Sequence, residues 1–162
     1  MKQISFLAVL LLALTIPLHA DESDKSSVDK ALSSFHEAAS KANWDGYFGL
    51  MSDDAIFLGT DANERWDKET FRNGYASRSK GWTYIMRERN INFTPDGNTA
   101  WFDELLDNDK YGTSRGTGVL IRTTDGWKIS QYHLTFPIPN DLADGITQQI
   151  HTFEAKQKMG QE

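Results

Sequence analysis

The run Thr99-Ala-Trp-Phe-Asp-Glu-Leu-Leu106 places a carboxylate among apolar side chains whichever way it faces. Strand alternation puts Trp101, Asp103 and Leu105 on one face and Ala100, Phe102, Glu104 and Leu106 on the other. Burial of either acid desolvates its charge and raises its pKa. A carboxyl with a raised pKa suits proton transfer near neutral pH. The plainer alternative is an acid at a wet rim or paired with an arginine, for which Arg115 stands on the next predicted strand. Further on, Trp127, Ile129, Gln131, His133 and Thr135 share a face that begins apolar and turns polar, as when a strand's far end lines a cavity. His133 there is a general base or a hydrogen-bonded structural histidine. Asp103, Glu104 and His133 are therefore the candidate catalytic residues.

Other chemistries fail on spacing. His36-Glu37-Ala38-Ala39-Ser40 opens like a zinc-protease helix but lacks the second histidine, and His36, His133 and His151 share no ligand spacing, so no metal site is expected. Gly112, Gly116 and Gly118 do not form a dinucleotide fingerprint; glycines inside a strand mark close packing or a bulge. No Walker sequence and no G-x-S-x-G occurs. The sequon Asn92-Phe93-Thr94 lies in a predicted strand before Pro95. No cofactor is expected.

The elements that position these residues follow from periodicity. Ser26-Ser27-Val28-Asp29 fits a capping box, and Val28, Ala31, Leu32, Phe35, Ala38, Ala39 and Ala42 recur at helical spacing, predicting a helix over 28–41. Asn43 caps a second helix over 44–51. Ala55-Ile56-Phe57-Leu58 predicts a strand, Asp61 to Glu64 a polar loop, and Asp67 caps a third helix over 68–78. Four strands are then predicted, over 82–93, 99–106, 114–123 and 127–136, with turns at Pro95-Asp96-Gly97-Asn98 and Thr124-Asp125-Gly126. Short loops imply antiparallel pairing. Leu142, Ile146, Ile150 and Phe153 mark one face of a C-terminal helix. Helices followed by a meander make an α+β layout. The patch Tyr132, Leu134 and Phe136 then needs a cover, either that helix or a second subunit.

Composition narrows the field. The chain has 162 residues, a net charge of −6 and no cysteine, which removes thiol catalysis and cysteine-held metals. The acidic balance argues against nucleic acid as a partner. Met1-Lys2-Gln3, an apolar run from Ile4 to Leu18 and the small residue Ala20 form a signal peptide over 1–20. Its run falls short of the about 20 residues a membrane span needs. The protein is expected to be exported, periplasmic or secreted, with no membrane span after cleavage.

The segments "SDDAIFLGTDANERWDKETFR" (52–72), "GNTAWFDELL" (97–106) and "RGTGVLIRTTDGWKISQYHLTFPIP" (115–139) resemble the SnoaL-like branch of the nuclear transport factor 2-like superfamily. The resemblance covers 28–139, leaving a short extension at 21–27 and a helical tail at 140–162. It implies a cone: N-terminal helices packed in a curved antiparallel sheet, with a small-molecule pocket at the open end. Enzymes of that family place an Asp or His in the pocket as acid or base. By analogy Asp61, Glu64 and Trp66 lie near the mouth; with Tyr75, Trp101 and Arg115 they are the candidate ligand-binding residues. One reading is a pocket protein for a small apolar or amphipathic molecule, with isomerase-, cyclase- or dehydratase-like chemistry. The other is a non-catalytic dimerising or interaction module with a filled cone. A homodimer is expected in either case.

Overall fold

A computed structural model describes residues 22–160; the expected signal peptide lies outside them. The elements are α1 (Glu22–Ser40), α2 (Trp44–Gly49), β1 (Met51–Leu58), β2 (Arg65–Asp67), α3 (Lys68–Tyr75), β3 (Ile85–Phe93), β4 (Thr99–Asn108), β5 (Gly112–Thr123), β6 (Gly126–Thr135) and α4 (Asn140–Met159). The α+β layout is as expected.

α1 starts six residues before the predicted helix start at 28, so 22–27 is helical. Glu22 and Asp24 supply the negative charge that a helix N-terminus favours. Asp24 also pairs with Arg122 of β5 at 2.6 Å, tying the first turn to the sheet. Ser27 Oγ accordingly donates back to the Ser23 carbonyl, as inside a helix. The predicted apolar stripe is the buried face, from Val28 through Phe35 to Ala39. The Asn43 and Asp67 caps form as read: Asn43 Oδ1 accepts from the Gly46 amide and Asp67 Oδ1 from the Thr70 amide. The three-residue strand β2 was too short to show alternation.

The six strands lie in the order β2-β1-β6-β5-β4-β3. β1 and β6 run parallel, whereas the other neighbours are antiparallel. The strands joined by short loops, β3 to β6, pair antiparallel as expected; β1 and β6 are distant in sequence, no hairpin joins them, and they pair in parallel. α1, α2 and α3 pack on one face of the sheet through Leu32, Phe35, Tyr47, Phe48 and Phe71, which meet Phe57, Leu120, Ile129 and Tyr132.

One irregularity decides which side chains face the helices. Along β6, Ile129 opposes Leu120 and Gln131 opposes Val119, so Ser130 is an extra residue. A bulge of this kind shifts the alternation by one. Trp127 and Ile129 point inward before it, and Tyr132 and Leu134 after it. His133 is thereby on the outer face, and the Tyr132–Leu134 patch is interior. The patch needs neither α4 nor a second subunit as its cover. α4 has no buried residue and leaves Leu142, Ile150 and Phe153 exposed.

Candidate functional site

Glu104 is 1 % exposed and points toward α1. The Pro95–Asn98 turn sets the β3–β4 register so that Arg89 lies opposite it. Arg89 Nε donates to Glu104 Oε2 at 2.8 Å, and Nη2 lies 2.7 Å from the same oxygen. Arg89 Nη1 donates to the Asp29 carbonyl at 3.0 Å, to Asp29 Oδ1 at 2.8 Å and to Ser33 Oγ at 3.1 Å. The other oxygen, Oε1, accepts from the Tyr132 hydroxyl at 2.8 Å and meets His36 Nε2 at 2.7 Å. Burial alone pushes the Glu104 carboxyl up. The bond and charge of His36, the charge of Arg89 and the Tyr132 bond outweigh it and hold the carboxyl below its usual range. Burial and the adjacent carboxylate push the Tyr132 hydroxyl well above the ordinary tyrosine range.

Next to this cluster lies a cavity of about 210 Å3. Its walls are aromatic: Phe57, Trp66, Phe71, Tyr75, Trp82, Tyr84, Tyr111 and Phe136, with Leu134. β2 brings Trp66 opposite Phe57, and Trp66 stacks on Phe71 at 5.4 Å. Tyr75 follows Phe71 by one helical turn, with ring centroids 4.9 Å apart. Trp82, on the segment between α3 and β3, leans on Trp44 at 4.9 Å. At the rim Tyr111, half exposed, stacks on Phe136 at 4.6 Å. Glu64 and Thr60 add polar atoms beside Gly59. A narrower gap lined by His36, Tyr47 and Tyr132 shares Phe57, Trp82, Tyr84 and Leu134 with the cavity.

The SnoaL-like domain family matches residues 28–139. The chain belongs to that family. Solved structures agree on the fold. An NTF2-like protein of unknown function from Pseudomonas putida KT2440 is 13% identical, with a TM-score of 0.62, covering 75% of this chain and 92% of its own. A proposed dehydratase of the NTF2-like family from Streptomyces avermitilis is 18% identical, with a TM-score of 0.58 and coverages of 73% and 99%. A proposed aromatic ring hydroxylase from Novosphingobium aromaticivorans is 15% identical, with a TM-score of 0.61 and coverages of 75% and 94%. No curated protein matches the chain.

Within the SnoaL-like domain the residues singled out from sequence separate. Glu64, Trp66 and Tyr75 line the cavity. Asp61 is exposed and closes its own loop, accepting from Asn63 and donating its amide to Glu64 Oε2 at 3.1 Å. Of the two acids of β4, Glu104 is interior, while Asp103 is exposed and accepts from Asn90 at 3.1 Å. Trp101 and His133 lie on the outer face. Arg115 opposes Leu105, one residue out of phase with Glu104, so Arg89 and not Arg115 holds the buried acid. That pairing also reverses the expected direction of its pKa. Among the described residues no three of His, Asp and Glu stand together as a metal site would need.

His36, Arg89, Tyr132, Trp82 and Tyr84 were missed. Two of them had a signal. Counting back equally from the turn, Thr94 faces Thr99 and Arg89 faces Glu104. His36 sits one helical turn from both Leu32 and Ala39 of the buried stripe. Tyr132 had none, because the bulge that turns it inward leaves no mark in alternation.

Proposed function

We propose that this SnoaL-like protein binds a small, mainly apolar, ring-containing molecule in the aromatic cavity. The lining carries the reading: eight aromatic rings converge on one space, with few polar groups to orient a guest. The size suits one ring, or a ring with a short polar arm: an apolar cavity of roughly 150 Å3 holds benzene, and drug-sized ligands need about 300 Å3 or more. Acid–base chemistry of the isomerase, cyclase or dehydratase kind belongs to this reading, because His36, bonded to Glu104, lines the narrow gap that shares Phe57, Trp82, Tyr84 and Leu134 with the cavity. We propose further that the protein is exported, to the periplasm or beyond, on the reading of residues 1–20, and that it forms a homodimer.

The test is calorimetric titration with benzene and 4-methylphenol. Saturable one-to-one binding is expected for the parent protein. Leu134→Phe grows into the cavity and should weaken that binding at least about tenfold, or 1.4 kcal/mol. Unchanged affinity in a folded Leu134→Phe protein would place the guest elsewhere.

A further inference from the structure

The lining of the aromatic cavity contains one charged side chain, Glu64. The loop after β1 builds its position. The Gly59 amide donates to the Glu64 carbonyl at 2.8 Å and the Glu64 amide to the Asp61 carbonyl at 2.9 Å, which closes the loop. The Asp61 amide then donates to Glu64 Oε2 at 3.1 Å and fixes the side chain. A Cβ on Gly59 would stand 2.2 Å from that oxygen and 2.9 Å from the carboxyl carbon. The carboxylate thus lies where residue 59 has no side chain, and Gly59 itself lines the cavity.

Among the described residues four acids are withdrawn from full exposure: Asp24, Asp29, Glu64 and Glu104. Three of them have an arginine at hand. Asp24 pairs with Arg122 at 2.6 Å, Asp29 with Arg89 at 2.8 Å and Glu104 with Arg89 at 2.7 Å. Glu64 pairs with no described cation, and its one hydrogen bond among the described residues is the Asp61 amide. A half-buried carboxylate beside an apolar space is stabilised by an opposite charge brought to it. Cations do approach the walls: Arg78 lies over the Tyr75 ring at 4.0 Å and Lys110 over the Tyr111 ring at 4.7 Å. Both are exposed and neither belongs to the lining, and Asp61 and Arg65 on the loop are exposed as well. Charges in water are screened over about 8 Å, whereas a group in contact with Glu64 meets that carboxylate unscreened. Arg78 and Lys110 also show that two rings of this lining take positive charge on a face.

Resting on the cavity-binding reading above, we propose that Glu64 selects the guest by charge, and that the guest is an organic cation: an aromatic ring on a short arm ending in an ammonium group. The ring takes the apolar walls. The ammonium gives Glu64 the counter-charge that Arg89 and Arg122 give the other three acids. The same carboxylate repels a guest whose arm ends in an acid. Glu64 is in this scheme a specificity-determining residue, and Gly59 the position that makes room for it.

Benzylamine, benzyl alcohol and benzoate test this, because they share one ring and a short arm and are at neutral pH a cation, a neutral molecule and an anion. In calorimetric titration of the parent protein, benzylamine should bind at least about tenfold tighter than benzyl alcohol, or 1.4 kcal/mol, and benzoate weaker than both. Glu64→Gln keeps an acceptor for the Asp61 amide and removes the charge. There benzylamine should fall to the level of benzyl alcohol, whose own affinity should hold. Equal binding of benzylamine and benzyl alcohol to the parent protein, or tighter binding of benzoate, overturns the proposal and leaves the cavity reading intact. A preference for benzylamine that survives Glu64→Gln belongs to the chain's net charge of −6 and also overturns it. Absence of binding by both benzyl alcohol and benzylamine overturns the proposal and the cavity reading together. Should Glu64→Gln fail to fold, Gly59→Ala tests the same contact: its methyl group displaces the carboxylate while the charge remains, and an undiminished preference for benzylamine overturns the proposal.

Discussion

Glu104 keeps its charge in the interior because three groups from three different elements reach it: Arg89 from β3, His36 from α1 and Tyr132 from β6. Each alone would be too little to offset the desolvation of a carboxylate. Arg89→Met keeps most of the stem and removes the cation. Its expected cost is about 3–5 kcal/mol near neutral pH, as for other broken buried pairs. In the parent protein the folded carboxyl lies below its unfolded value, so its stabilising contribution is present above the unfolded pKa and fades as pH falls through the folded one. Without Arg89 the burial that pushes the carboxyl up has less to oppose it, and the mutant's penalty should shrink as acid protonates Glu104. Urea midpoints of both proteins between about pH 4 and 8 check this, over the range where carboxyl shifts act. A gap that stays constant with pH would show that Arg89 contributes by packing and by its bonds to Asp29 and Ser33, not by holding a charge. A buried acid in this strand was legible from its alternation, since both faces are largely apolar; its partner needed the hairpin register, which the turn residues supply.

Strand β5 contributes to the same cluster by what it lacks. A Cβ on Gly116 would stand 2.3 Å from the Tyr132 hydroxyl oxygen and 2.7 Å from Glu104 Oε1. The space where phenol and carboxylate meet is therefore the missing side chain of the neighbouring strand. Gly118 is as tight, its Cβ position lying 2.1 Å from the Gln131 carbonyl. The close packing inferred from strand glycines is thus real at 116 and 118, whereas Gly112 serves a turn with φ of 69°. Gly116→Ala should cost about 1–3 kcal/mol, the usual range for overpacking. It should also free Tyr132 to titrate at lower pH, since the bond to Glu104 helps to hold its hydroxyl up. Ultraviolet titration of the tyrosines together with urea unfolding reads both effects; an unaltered tyrosine titration would mean the strand shifts to accommodate the methyl group. The helices and every strand but β2 were legible because each carries its own period or cap. Facing was legible only as far as Ser130, since one inserted residue inverts every position after it.

Among the described residues no helix covers the outer face of the sheet as α1, α2 and α3 cover the inner one. Trp101, Val119 and Gln131 form one cross-strand row and Asp103, Thr117 and His133 the next. Trp101, on β4 beside the edge strand β3, is 47 % exposed on this surface. A two-fold axis through it would bring like rows together, as a self-complementary interface requires. The proposed homodimer therefore uses this face rather than the Tyr132–Leu134 patch, and Trp101→Asp should yield a folded monomer in sedimentation runs. A monomeric parent protein, or a variant that still dimerises, would discount this face. No periodicity in the chain could have identified it, because a half-exposed tryptophan reads the same in a core. The parallel seam between β1 and β6 bears on the order of events during synthesis. β1 and the three helices all lie before residue 76, yet β1 meets its main partner only at residues 129–133. A ribosome that has released the first half of this chain has released every helix that packs on the sheet but only β1 and β2 of its six strands. Those helices carry only Phe71 and Tyr75 of the aromatic side chains that later wall the cavity, and they must wait, apolar faces uncovered, until nearly the last strand has emerged.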